Sequence, residues 1–285
     1  MRTFERRLFA TLAAGLLLVA APAAWAADGA RLYPDVALRY AVGDSQARNP
    51  INNTEGPKTL AAADMNGDGL SDVVAGNLDG SVSVLLGRPT TNGLSEQILT
   101  RATGILSNSS FRAVAVADFN GDGSPDVVAG DIARRGVVTL LGNGDGTLTP
   151  HVRKDLGPVR ALAAADFDRD GRMDLLAACS PPDCDYCYAN SPINTTNRFL
   201  CVLKGNGDGT FAEPEYLLTR GVLACFYDVE AADLNGDGYA EAVSLDYNRC
   251  QNGDIVTRQR RVQIFANDGH GLFATNAPTD RKSVV

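Results

Sequence analysis

Ala63-Asp-Met-Asn-Gly-Asp-Gly-Leu-Ser-Asp72 returns as Ala117-Asp-Phe-Asn-Gly-Asp-Gly-Ser-Pro-Asp126, as Ala165-Asp-Phe-Asp-Arg-Asp-Gly-Arg-Met-Asp174 and as Ala232-Asp-Leu-Asn-Gly-Asp-Gly-Tyr-Ala-Glu241. The four copies start 54, 48 and 67 residues apart, so the chain is a repeat array, and the repeat governs every local reading. A short apolar run precedes the first three copies (Leu60–Ala63, Val114–Ala117, Leu162–Ala165) and another follows them (Val73–Ala75, Val127–Ala129, Leu175–Ala178). A third run comes next, at Val82–Leu86, Val137–Leu141, Phe199–Leu203 and Val262–Phe265. Runs this short, rich in β-branched residues and bounded by glycine and aspartate, predict strands.

Glycine-rich turns close three units, at Gly142–Gly146, Gly205–Gly209 and Asn267–Gly271, where Asn-Gly and Asp-Gly steps supply the positive φ of a hairpin. A unit of about 50 residues with four short strands cannot bury both faces alone; stacking copies around an axis buries them. The expected fold is therefore all-β, a β-propeller of four-stranded blades at about 59–112, 113–159, 160–222 and 223–280, with calcium-binding loops.

The loops carry side-chain oxygens at their first, third, fifth and ninth residues, a glycine at the sixth, and a backbone carbonyl free at the seventh. A hard cation needs such oxygens gathered within a few residues. The expected ligands are Asp64, Asn66, Asp68, the Leu70 carbonyl and Asp72; then Asp118, Asn120, Asp122, the Ser124 carbonyl and Asp126. The third loop offers Asp166, Asp168, Asp170, the Arg172 carbonyl and Asp174; the fourth Asp233, Asn235, Asp237, the Tyr239 carbonyl and Glu241. Up to four Ca2+ are expected, with the fourth site looser because Glu241 is one methylene longer. An EF-hand starts alike but needs an acidic twelfth residue and flanking helices; here that residue is Ala75, Ala129, Ala177 or Ser244.

These loops, the strand pair that follows and the Gly-Asn-Gly-Asp-Gly-Thr turn resemble the FG-GAP and VCBS-type repeats of integrin-alpha-like β-propellers, over about Thr59 to Phe273. The resemblance implies structural calcium in the four loops. It also implies a role in adhesion, in ligand recognition or as a module beside a catalytic domain. Family propellers usually have seven blades, against four calcium motifs here. An extra strand is expected around Asp35 to Val42, and the tail Arg281–Val285 aligns with Pro57–Leu60, where a further blade would start. The tail closing a small ring, two chains forming a larger homo-oligomeric ring, and a truncated product are the alternatives.

Met1 to Ala26 reads as a secretory signal peptide: Arg2, Arg6 and Arg7 precede an apolar stretch from Leu8 to Ala24, and Ala24-Trp25-Ala26 has the pattern of a cleavage site. The expected location is exported, periplasmic or extracellular, with residues 27–58 as an N-terminal segment, 59–285 as the repeat domain and no membrane span in the mature chain. Losing the leader moves the formal charge from −8 to near −10, which argues against nucleic acid and anionic membranes as partners. Cys179, Cys184, Cys187, Cys201, Cys225 and Cys250 are disulfide candidates with open connectivity, four of them in the insertion 179–201.

No catalytic constellation emerges. The two histidines, His151 and His270, fall at or beside expected turns, and neither a Gly-x-Ser-x-Gly elbow nor a His-Glu-x-x-His motif occurs. The expected function is a calcium-stabilised binding or adhesion module for protein or carbohydrate, with Ser180–Arg198 and its Tyr186 and Tyr188 as the contact surface. An extracellular hydrolase or lyase using propeller-face carboxylates is the alternative.

Overall fold

The computed structural model describes residues 56–87, 98–102, 109–179, 200–217, 224–252, 255–271 and 273. The leader, the strand expected at Asp35–Val42, the insertion segment Ser180–Arg198 and the tail Arg281–Val285 lie outside these residues.

Among the described residues, fifteen strands form four antiparallel sheets. The first contains β1 (Pro57–Ala63), β2 (Asp72–Asn77), β3 (Val82–Leu86) and β4 (Ile98–Ala102), and the second β5 (Phe111–Ala117), β6 (Asp126–Asp131), β7 (Gly136–Gly142) and β8 (Leu148–Asp155). The third contains β9 (Val159–Ala165), β10 (Asp174–Cys179), β11 (Leu200–Leu203) and β12 (Glu215–Tyr216), and the fourth β13 (Ala224–Ala232), β14 (Glu241–Asn252) and β15 (Ile255–Phe265). Strands pair in sequence order throughout, a meander consistent with propeller blades.

The register repeats with the sequence. Ala63 pairs with Asp72, Ala117 with Asp126, Ala165 with Asp174 and Ala232 with Glu241, so each acidic loop is the turn between the first and second strands of its sheet. Strands flank all four loops, as the propeller reading requires and an EF-hand forbids.

Successive sheets stack through their first strands: β1 packs on β5, β5 on β9 and β9 on β13. The core is therefore three apolar layers between sheets rather than one central mass. Met65, Val74, Val82 and Val84 face Val114, Val127, Ala129 and Leu140 across the first boundary. Phe119, Val128 and Val137 face Leu162, Leu175, Cys201 and Leu203 across the second. Phe167, Leu176, Leu200 and Val202 face Val229, Ala231, Ala242 and Phe265 across the third.

Close approach at these boundaries requires small residues. A Cβ on Gly76 would stand 2.9 Å from Val114 Cγ1, and one on Gly130 2.7 Å from Val159 Cγ1, so neither position tolerates a side chain while the next sheet stays in place.

The fourth sheet breaks the pattern. Leu245 occupies the register of Gly76, Gly130 and Ala178, and Val262 and Ile264 occupy that of residues buried to within 1% in the first three sheets. Val262 is 67% exposed, and Leu245 and Ile264 are exposed as well. At the other end of the stack Leu60 is exposed, whereas its counterparts Val114, Leu162 and Val229 are buried.

Candidate metal centres

Each loop is held by its own acidic residues accepting from its own amides. The first aspartate caps the middle of the turn. Asp64 accepts from Asp68 N (3.1 Å) and Gly69 N (2.8 Å), and Asp118 from Gly121 N (2.7 Å) and Gly123 N (2.8 Å). Asp166 accepts from Asp170 N (3.1 Å) and Gly171 N (2.9 Å), and Asp233 from Gly236 N (2.7 Å) and Gly238 N (2.8 Å). The fifth residue accepts from the amide of the seventh: Asp68 from Leu70, Asp122 from Ser124, Asp170 from Arg172 and Asp237 from Tyr239, all at 2.7–2.8 Å. Such bonds bend the backbone so that the first, third and fifth side chains converge.

In three loops the third residue is asparagine, and its amide donates to the fifth carboxylate: Asn66 to Asp68 (3.1 Å), Asn120 to Asp122 (2.8 Å) and Asn235 to Asp237 (2.9 Å). Together with the Ser124 amide, the Asn120 bond holds the Asp122 carboxyl below its usual range, so it stays ionised.

The ninth residue differs in kind. Asp72, Asp126 and Asp174 are buried, and each bridges two strands. Asp72 accepts from Met65 N (2.7 Å) and Gly87 N (2.7 Å). Asp126 accepts from Phe119 N (2.9 Å), Asn120 N (3.2 Å) and Gly142 N (2.8 Å). Asp174 accepts from Phe167 N (3.0 Å) and Gly205 N (2.8 Å). One carboxylate thereby ties the loop to the end of the third strand. Gly87, Gly142 and Gly205 are glycine because a Cβ at any of them would run into the carbonyl of Ser71, Pro125 or Met173.

Glu241, with its longer side chain, accepts from Leu234 N (2.8 Å) but turns its other oxygen to Asn235 Nδ2 (3.2 Å). Asn267 stands at the glycine position and donates instead to Phe167 O (2.8 Å) and Ala240 O (3.1 Å), fastening the fourth sheet to the third.

The carboxylates crowd most in the third loop, the one with aspartate in place of asparagine. Ligand oxygens of Asp166, Asp168 and Asp174 all lie within 4.8 Å of one another. Burial, with the charges of Asp168 and Asp166 added, pushes Asp174 up to about 6 against the opposing pull of its two amide bonds. Hard oxygen donors at this separation, one of them buried and strained toward protonation, suit a divalent cation with oxygen preference. The third loop also replaces the fourth-residue glycine by Arg169, which takes a positive φ of 58° and sets its guanidinium 4.5 Å from the centre of the Tyr239 ring in the next loop.

The structure thus brings the predicted side chains of each loop into one turn. The reading from sequence missed three features. The second residue of the first three loops, Met65, Phe119 or Phe167, is buried in the following boundary; Phe119 meets Phe211 edge-on at 5.5 Å. In the first three sheets the glycine at the end of the third strand donates its amide to the ninth carboxylate. Lys204 reaches Asp168. Only the glycine recurrence had a sequence signal, and it was absorbed into the turn motif.

Cys179 and Cys201 are buried thiols with sulfurs 3.9 Å apart, and the contact with Cys179, with burial added, raises the Cys201 thiol well above its usual value. The Cys225 and Cys250 side chains, and all of Cys184 and Cys187, lie outside the described set. His151 lies within β8 rather than beside a turn, and His270 is an exposed turn residue. A shallow cleft of about 300 Å³ between the second and third loops is lined by Asp118, Asn120, Arg172 and Asn206. No helix among the described residues is long and apolar enough to cross a membrane.

Sheets, register and loops define an all-β repeat protein. Two overlapping stretches, 64–129 and 118–177, match the model of the FG-GAP-like repeat, so the chain carries FG-GAP-like repeats. No curated protein matches the chain. Among solved structures, an Agrocybe aegerita lectin described for specific recognition of non-reducing terminal N-acetylglucosamine aligns at 20% identity with a TM-score of 0.45. The alignment covers 75% of this chain and 50% of that one, so this chain spans about half its length.

Proposed function

We propose that the chain is an exported, calcium-binding repeat module of the β-propeller type that presents a surface to a protein or carbohydrate ligand, without catalysis of its own. The observation that carries the reading is the convergence of Asp166, Asp168 and Asp174 in a loop whose hydrogen-bonded frame recurs three more times. Calcium would be held by the first, third, fifth and ninth side chains and the seventh carbonyl of each loop. Its role is to neutralise charge: two carboxylates about 5 Å apart repel by roughly 3 kcal/mol at an effective dielectric near 20. At a free concentration tenfold above the dissociation constant, each ion would add about 1.4 kcal/mol to the native state, so four would add about 6 kcal/mol, comparable with the whole stability of an ordinary domain.

The FG-GAP-like repeats support a recognition module, and the polar cleft between the second and third loops is a described surface open to a ligand. Thermal unfolding of the mature chain in excess calcium and in chelator, with solution mass by light scattering, tests the reading. A rise in Tm of ten degrees or more with calcium is expected. An identical Tm in both buffers would refute the metal assignment.

A further inference from the structure

We propose that Lys204 is a built-in counter-cation of the third loop, which makes that loop a weaker calcium site than even the fourth, loosened by Glu241, and the one best held in shape without metal. The proposal rests on the calcium reading above and concerns how one site departs from the other three.

Asp168 and Lys204 both set the third repeat apart from the others. Asp168 replaces the asparagine found at residues 66, 120 and 235, adding a fourth carboxylate to the loop. Lys204 follows Leu203 at the end of β11, and by strand register its counterparts are Leu86, Leu141 and Ala266. The same repeat also adds Arg169, which lies over the Tyr239 ring, and Arg172, which stands 3.8 Å from Asp170 Oδ2, but the cation that meets the added carboxylate is Lys204.

The structure puts them in contact. Lys204 Nζ lies 3.0 Å from Asp168 Oδ2, with the lysine side chain 33% and the aspartate 17% exposed. His270 O accepts from the same ammonium at 3.4 Å. Asp168 Oδ1 accepts from Asp170 N at 3.3 Å, so both of its oxygens have partners.

A cation drawn to Asp166, Asp168 and Asp174 must displace the ammonium from Asp168 Oδ2 or bind without that oxygen. Either route weakens the site relative to a loop whose third residue is not paired with a cation. In the absence of calcium the same ammonium relieves the repulsion among the loop's carboxylates, which asparagine avoids in the other three loops.

Isothermal titration of calcium into the full chain, wild type and Lys204→Leu, tests the proposal, with melting in chelator as a second readout. Wild type is expected to show one binding step several-fold weaker than the rest. Lys204→Leu should tighten that step by about twofold to fivefold, the effect of a partly exposed ion pair. It should also lower Tm in chelator, and adding Asp168→Asn should restore it. If the leucine variant does not fold, Lys204→Gln removes the charge while keeping a polar chain. A weakest step unchanged by either substitution, or a chelator Tm that does not fall, overturns the role of Lys204 and leaves calcium binding standing. No calcium heat in any of the proteins overturns both.

Discussion

Replacing Asp126 by alanine separates what the acidic loops do with calcium from what they do without it. Asp126 is fully buried and accepts from the amides of Phe119, Asn120 and Gly142 at 2.9, 3.2 and 2.8 Å. Alanine leaves these donors facing a cavity. A buried donor without an acceptor costs about 1–3 kcal/mol, and the two shorter bonds contribute most. Part of this is offset, because burial pushes the Asp126 carboxyl above its usual range, so the charge itself carries a desolvation penalty that alanine removes. The net loss should be about 3 kcal/mol, or a fall in Tm of about 6–12 °C for a domain of this size. The loss should appear in full in chelator, since the partners are backbone amides. Asp122→Ala is the control. Asp122 is exposed, so its removal should shift Tm in chelator by less than about 3 °C, yet cost a ligand once calcium is present. Differential scanning fluorimetry of wild type and both variants in the two buffers reads this out. If Asp126→Ala is no more damaging in chelator than Asp122→Ala, the ninth residue is only a ligand, and its bridging role is refuted.

Phe119→Ala should lower stability by about 3–5 kcal/mol in chemical denaturation, because the ring is 1% exposed between the second and third sheets; the equivalent Leu234→Ala, at 55% exposed, should stay within about 0.5 kcal/mol. Gly142→Ala should destabilise by about 1–3 kcal/mol, since the new Cβ meets the Pro125 carbonyl oxygen, and a melt matching wild type would contradict the close approach. Cys179 and Cys201 should cross-link to each other under oxidising conditions, given their 3.9 Å separation; peptide mapping without reduction that finds both sulfurs alkylated would count against the pairing.

The repeat, the meander of strands and the placement of each acidic phrase in the first turn of its sheet were legible in the sequence, because these follow from local rules. Alternating short apolar runs set the strands, and Asp-x-Asn-x-Asp-Gly sets a turn whose side chains cap their own backbone. The functions of Met65, Phe119 and Phe167 were not legible. Their burial depends on a sheet some 50 residues further on, and within its own loop each looks like an apolar residue stranded among acids. The double role of the ninth aspartate was hidden for a similar reason: its second partner, Gly87, Gly142 or Gly205, lies 15 to 31 residues away. Lys204 reads as an ordinary charged residue at a strand end until Asp168 is seen beside it.

The fourth repeat keeps the loop motif where the long-range contacts have been lost. Its loop keeps Asp-x-Asn-x-Asp-Gly unchanged, and the internal hydrogen bonds are those of the other loops. Every departure falls at a position whose partner lies outside the loop. Leu245 stands where the first three sheets need glycine or alanine for the next sheet to approach, and it is exposed. Leu234 stands where Met65, Phe119 and Phe167 fill a boundary, and it too is exposed. Glu241 and Asn267 stand in place of the aspartate and glycine that join loop to third strand; Glu241 bonds within its own loop, and Asn267 bonds to Phe167 O instead. If the loops were conserved only as turns, drift should affect their tips as readily as these contacts. It affects the contacts and spares the tips, which is the distribution expected if the converging oxygens are themselves what is kept.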